Sequence, residues 1–556
     1  MNRLSVSRTR ILETLWLAAF AFAFTYTNAQ TCGCPEGPNT TTVLANTTMN
    51  ISTLGLPTVI TGRCFRIGTN ASLVIDIPTT FTSCHIAEEA GASVKVKSNL
   101  TISGAQTTLA ACGDGAGGIE LLTNAVLNAQ VLISNVGPSE LPMAINAGQG
   151  STVNISGASN LSYCLTGISC LDCAAVAVTG GAYIEAQKGI VCSGKPNIAI
   201  TNTSFTVAAG GIQCVYSSNT PTSFLNINGC TINVGTGSSF TGLFGVNILT
   251  ATAASLALTG TPQISNNIIN MFSSRFGIDV ARIQGINLVG NQITTYNNVN
   301  PGGIFMRSVR VTSCPNAKIL NNTLNTTVAF PWNVQYHTYG IDVFTTTGWQ
   351  IANNTISNMG VGVKFTGDCT SVNMFDANNF NGSQDIGLWI GSGSKIGFQG
   401  CGGNQWNGTF DEWGGRCDGN PMLSAFEVAG PTPPDTPSPL SPPSGWFTSG
   451  VCFVGGGNSD ERSSGGGNMA GGVSDGDKFS LFPNPTQNYI SLRWPSELSA
   501  AKLELLDLAG KLVMRKHLTS VDGITTFDLP DVASGTYLVR ITADGFCQTE
   551  KLSILK

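Results

Sequence analysis

One short phrase recurs through the middle of this chain: ISNNII at Ile264, LVGNQI at Leu288, ILNNTL at Ile319, IANNTI at Ile351 and FDANNF at Phe375. A second alternates with it, a Gly followed by apolar residues at every other position: GIDV at Gly277, GIFM at Gly303, GIDV at Gly340, GVKF at Gly362 and GLWI at Gly387. An apolar residue at every second position is the period of a half-buried strand. A two-strand unit repeating every 22 residues or so, with insertions at its corners, cannot bury its apolar face alone. It has to stack on copies of itself, which predicts a β-solenoid and an all-β chain.

Two columns follow from stacking. GISC, GIVC and GIQC begin at Gly167, Gly189 and Gly211, so Cys170, Cys192 and Cys214 fall at one inward rung. Buried Cys behaves as a small hydrophobe, so a packed thiol column is expected there, with one disulfide or a metal site as the lesser readings. Asn267, Asn291, Asn322, Asn354 and Asn378 each precede an apolar anchor by two residues. Asn tolerates left-handed backbone and carries two donors and two acceptor lone pairs, so this column is expected to seal a corner.

These NNTI-type phrases, alternating with Gly-initiated strands from Gly91 to Trp406, resemble the right-handed parallel β-helix repeats of the pectate-lyase-like superfamily. The resemblance implies architecture. Its members include lyases, glycosidases and adhesins, so function has to be argued from a site.

The rest of the chain divides by composition. Residues 1–29 carry Arg3, Arg8 and Arg10, then an apolar stretch from Thr14 to Phe24 too short to span a bilayer, and read as a signal peptide. Residues 30–90 lack a clean repeat and read as an N-terminal cap, with the β-helix over 91–430 and a capping loop at 401–417. Residues 431–477, Pro-rich and then Gly/Ser-rich, read as a linker. Residues 478–556 read as about seven short strands, a small Ig-like β-sandwich.

That last segment resembles the C-terminal sorting domain of type IX secretion substrates. The matching residues are Pro483, Asn484 and Pro485, Gly510 and Lys511 of DLAGK, and Gly535 and Tyr537 of GTYLVRI. The resemblance implies the type IX machinery as a partner, removal of the domain, and attachment to the outer-membrane surface of a Gram-negative cell. All 17 cysteines lie beyond the signal, and export permits disulfides, with Cys32/Cys34, Cys64/Cys84 and Cys401/Cys417 as plausible local pairs. Net charge is −5 with no basic run, which removes nucleic acid as a partner.

Chemistry is expected on the outward residues of the Gly-initiated strands. In that register the third residue points out, giving Asp279, Phe305, Asp342, Lys364 and Trp389, with Arg307 and Phe344 two positions further on. Phe305, Phe344, Lys364 and Trp389 are candidate ligand contacts, joined by Trp332 and Tyr336 in the insertion VAFPWNVQYHTY. Asp279, Asp342, Arg307 and His337 are the candidate catalytic groups, the two carboxylates about 9.6 Å apart if one coil intervenes. The expected role is glycan recognition or adhesion without catalysis, with possible polysaccharide partners and no cofactor. The rival is a polysaccharide lyase or glycoside hydrolase of the same superfamily, which as a lyase would call for Ca2+ bound by carboxylates such as Asp279, Asp342 and Asp368.

Overall fold

A computed structural model describes residues 34–449 and 480–554, apart from 35, 105–106, 113–114, 131, 135–140, 218–222, 237–241, 273, 297–304, 328–337, 371–373, 401, 431–432, 483–488, 494–500, 508–510, 519–523 and 544–545. The signal peptide, the Gly/Ser-rich stretch and the loop carrying Trp332, Tyr336 and His337 lie outside the described residues, as do Pro483, Asn484, Pro485 and Gly510. The chain falls into two compact units, one built on the solenoid and one that includes Thr448–Lys556.

The first unit is a parallel β-solenoid made of a 28-stranded and a 13-stranded sheet. One coil shows the plan: Gln350–Ala352 lies in the smaller sheet, while Thr355–Ser357 and Val361–Thr366 lie in the larger. Ile351, Ile356, Val363 and Phe365 point into a core where each is essentially fully buried. The recurrent Gly stands where the last two strands meet. A Cβ on Gly340 would sit 2.5 Å from the carbonyl oxygen of Gly362 and 2.8 Å from Ile356 Cγ2, so a side chain at Gly340 would require its neighbours to shift.

The asparagine column is present and continues one coil further. Nδ2 of Asn267, Asn291, Asn322, Asn354 and Asn378 donates to Oδ1 of the next member at 2.9–3.0 Å, ending on Asn404. Each Nδ2 also donates to a backbone carbonyl one coil back, and each Oδ1 accepts a backbone N–H as well, so the buried amides are saturated. The left-handed backbone belongs to the residue before: Asn266, Gly290, Asn321, Asn353 and Ala377 have φ of 48–67°. The Asn-Asn pair therefore divides the labour, one residue turning the chain and the next bonding across coils.

Cys170, Cys192 and Cys214 do stack in register and are buried. Cys170 is nonetheless bonded to Cys173, because Asp172, at φ 53°, curls the chain back and leaves the two Cα atoms 5.5 Å apart. Cys192 and Cys214 stay reduced, and the Cys192 side chain together with burial pushes the Cys214 thiol up. Cys64 pairs with Cys34 rather than Cys84. Cys84 turns inward toward the Ile60 carbonyl, a buried thiol whose pKa is raised by desolvation. Cys417 is likewise buried and reduced, while Cys32 and Cys401 lie outside the described residues.

Both solenoid boundaries differ from the sequence reading. Coils begin at Thr40–Val43, paired in parallel with Cys64–Ile67, so 30–90 is mostly solenoid. The Pro-rich stretch is not a spacer. Its carbonyls take donors from the last coils (Trp406 N to Pro434 O at 2.7 Å, Gly415 N to Pro439 O at 3.2 Å), and Leu440 pairs with Gly415. Trp446 is fully buried there among Phe426 and Phe447. Proline accepts hydrogen bonds but has no N–H to offer a further strand, so this segment closes the open end of the sheet.

The second unit has a three-stranded antiparallel sheet (Ser480–Phe482, Tyr489–Arg493, Ile524–Asp528) and a four-stranded one (Ala501–Leu506, Leu512–Leu518, Gly535–Ala543, Phe546–Ile554). Ile490 and Phe527 from the first meet Leu503, Leu505, Val539, Ile541, Leu552 and Ile554 from the second in one core. That is a small sandwich of seven strands among the described residues. Tyr537 Oη donates to the Ala533 carbonyl at 2.9 Å, and Asp507 Oδ1 accepts the Lys511 N–H at 2.9 Å, giving two of the motif positions turn-closing roles.

Candidate functional site

The outward column of the larger sheet runs Asn247, Asp279, Arg310, Asp342, Lys364, Trp389, Arg416. Phe305 is not in it. The coil between Asp279 and Asp342 is keyed by Ser308, whose carbonyl faces Gly277 as a Gly carbonyl does in other coils. Gly302 and Gly303 lie outside the described residues. The repeat unit in this coil is thus SVRV, at Ser308, and not GIFM. Arg307 precedes Ser308 and stands in a neighbouring column with Phe276, Tyr339, Val361, Ile386 and Trp413.

Correcting the register changes the electrostatics. Asp279 and Asp342 are separated by one coil, but that coil presents Arg310 between them. Arg310 bonds Asp279 through Nε at 2.8 Å and Nη2 at 2.7 Å, and Asn247 Nδ2 adds a third bond at 2.9 Å. Arg307 Nε bonds Asp342 Oδ2 at 2.6 Å. The carboxylates are only 4% and 7% exposed. Each carboxylate is taken up by a guanidinium, so neither is free to turn toward a substrate without breaking that pair.

Aromatic rings thread the same charges. Arg310 lies 4.0 Å from the Phe276 ring centroid, and Arg307 lies 5.2 Å from Tyr339 and 5.6 Å from Phe305. Trp389 has Lys364 at 4.0 Å from the coil before and Arg416 at 5.0 Å from the coil after, while its Nε1 donates to Asp418 at 2.9 Å. Cations on both sides leave the indole little face for a ligand. Burial pulls the Lys364 pKa down, with Asp342 opposing, and burial raises that of Tyr339. Phe305, whose ring also meets Tyr339, and Phe344 are 43% and 44% exposed.

Asp368 stands apart, its pKa lowered to about 2 chiefly by the bond to Lys395. With Asp279, Asp342 and Asp368 each engaged by a cation, this set does not suit Ca2+, which needs six or more oxygen ligands. No group of three metal-binding side chains occurs among the described residues. Sequence reasoning passed over Asp385, whose pKa is raised to about 6 by burial and by the neighbouring Asp411. Its strand, Ser383–Ile390, pairs with Thr409–Cys417, so the two carboxylates sit in adjacent coils. Only the register, bulged between Gln384 and Ile386, brings them side by side.

Residues 480–555 match the family described as the secretion system C-terminal sorting domain. A comparison with curated proteins finds no match. The chain is therefore a β-solenoid protein bearing a type IX sorting domain, which implies handling by that machinery and export to a cell-surface or secreted location.

Proposed function

We propose that the solenoid is a non-catalytic glycan-binding or adhesion scaffold, attached to the cell surface after export. The observation that carries this reading is the locking of Asp279 and Asp342 by Arg310 and Arg307. Side chains fixed this way organise a surface, whereas acid–base catalysis needs a carboxyl placed within hydrogen-bond reach of the proton it transfers. Phe305 and Phe344 are the ring platforms for apolar sugar faces, and Arg307, Arg310 and Lys364 supply donors for hydroxyls. Trp389 supports the cations rather than meeting the ligand.

The test incubates the purified protein with a polysaccharide panel and scores retention and product release separately. Phe344→Ala should weaken retention several-fold, with no product formed by either protein. Product release by the wild type, lost in Asp342→Asn, sinks the proposal.

A hydrolase is the second reading, favoured by Asp385 and Asp411. A carboxyl raised to about 6 beside a second carboxyl is how two acids divide proton donation from nucleophilic or basic work. Product release abolished in Asp385→Asn and retained in Asp342→Asn would select it.

A further inference from the structure

We infer that the outer face of the four-stranded sheet in the sorting domain docks onto an acidic protein surface of the export machinery. The inner face of that sheet is consumed by the core, so the outer one is what the domain presents. At its centre Glu504 lies directly across from Arg515 on one neighbouring strand and Arg540 on the other. Arg540 reaches Oε2 through Nε at 3.0 Å and Nη2 at 2.6 Å; Arg515 reaches Oε1 through Nε at 2.9 Å and Nη2 at 2.8 Å. Lys502 Nζ is 2.7 Å from Oε1.

The carboxylate is sunk, 2% exposed, while its three cations are 37–49% exposed. The bonds from these cations, Lys502 first, hold the Glu504 pKa down to about 2, so the arrangement persists across the physiological pH range. One buried anion thus fixes the orientation of two guanidiniums and still leaves the face positive. Each guanidinium has five N–H donors, and Glu504 engages only the Nε and Nη2 of each. The remaining donors belong to side chains that are 49% and 44% exposed and whose orientation the buried carboxylate fixes.

Two features extend the patch. Lys551 lies across from Leu538, which lies across from Leu506, and Lys511 is exposed at the start of the outermost strand beside Leu512, itself 42% exposed. The whole segment 478–556 has nine Lys and Arg against eight Asp and Glu, so the excess on this face is segregation and not composition. Fixed forks interleaved with leucines suit a shaped acidic protein surface better than a fluid anionic lipid headgroup layer, which needs charge without orientation.

The experiment uses the full chain in cells that carry a type IX system. A photocrosslinking residue replaces Thr542 or Thr549, which are exposed and lie opposite Lys502's and Arg540's positions in the register. The expected adduct is a protein of the export machinery. Lys511→Glu/Lys551→Glu leaves the Glu504 cluster intact and should lower both adduct yield and surface fraction at least fivefold, with the protein held in the periplasm. Unchanged thermal unfolding of the purified variant separates lost docking from lost folding; where the variant fails to fold, the identity of the wild-type adduct decides. An adduct to lipopolysaccharide or to a protein outside the machinery, no adduct, or normal export of the folded variant overturns the inference.

Discussion

Asn354→Ala tests whether the asparagine column holds the solenoid's corner. Asn354 Nδ2 donates to Ile319 O at 2.8 Å and Asn378 Oδ1 at 2.9 Å; its Oδ1 accepts Asn322 N and Asn322 Nδ2, both at 2.9 Å. Alanine removes all four bonds. Two neighbours are buffered, since Asn378 Oδ1 keeps the Asn354 N–H and Asn322 Nδ2 keeps Leu288 O. The Asn322 N–H loses its acceptor inside a buried corner. At about 1 kcal/mol net per bond, with more for the stranded donor, the cost is about 4–5 kcal/mol. Coils contact only their neighbours, so the loss should be local and read as hydrogen exchange about 10³-fold faster in 319–326, 351–357 and 375–381. Asn407→Ala serves as the control: its exposed amide bonds Asn379 Oδ1 at 2.9 Å and should cost less than about 1 kcal/mol. Equal exchange in the two variants, or acceleration spread evenly over the solenoid, would refute the reasoning.

Glu88 is fully buried, bonded by the Gly118 N–H, and raised by desolvation to about 8. The unfolded chain ionises it near its ordinary value of 4.5 while the folded chain keeps it neutral, so stability falls as pH rises from 4.5 to 8, by about 3 kcal/mol at pH 7. Urea unfolding of Glu88→Gln should match the wild type near pH 4.5 and exceed it at pH 8; parallel profiles would remove the buried carboxylate as the cause. Trp446→Ala, emptying the terminal plug, should cost about 3–5 kcal/mol and promote end-to-end association, measured by urea titration and light scattering. Deleting Lys478–Lys556 should leave the solenoid's circular dichroism unchanged and trap the protein in the periplasm, seen by fractionation. In the binding assay, Asp342→Asn should retain glycan within about tenfold of the wild type, because it keeps an acceptor for Arg307.

What could be read from the sequence was whatever repeats in register. Asn267 to Asn378 were legible because each stands two residues before an apolar anchor. Asn404 obeys the same rule before Trp406, but its coil is disguised by the Gly-rich loop around it. Phe305 was misplaced for the converse reason: Ser308 fills the Gly position of its coil, and a Gly-keyed phrase just upstream mimics the repeat. The Arg310–Asp279 pair was invisible until that slip was corrected. The Pro-rich segment failed on different grounds, since extended proline serves equally as spacer or lid, and Trp446, the side chain that decides, lies just past it. The earliest coils escaped notice because Asn46, Asn50, Gly55 and Gly62 do not stand in the phrases that mark later coils: neither Asn precedes an apolar anchor by two residues, and neither Gly opens an alternating apolar strand.

The proline lid also bears on how such a chain can change over generations. Because it ends the sheet by its own chemistry, the number of coils upstream is not written into the terminus. A duplicated or deleted coil near Asn322 would renew the same amide bonds on either side and meet the same lid. Each such event would lengthen or shorten the rod by about 4.8 Å. Reach then becomes a quantity inherited in discrete steps, which selection can adjust without redesigning either end.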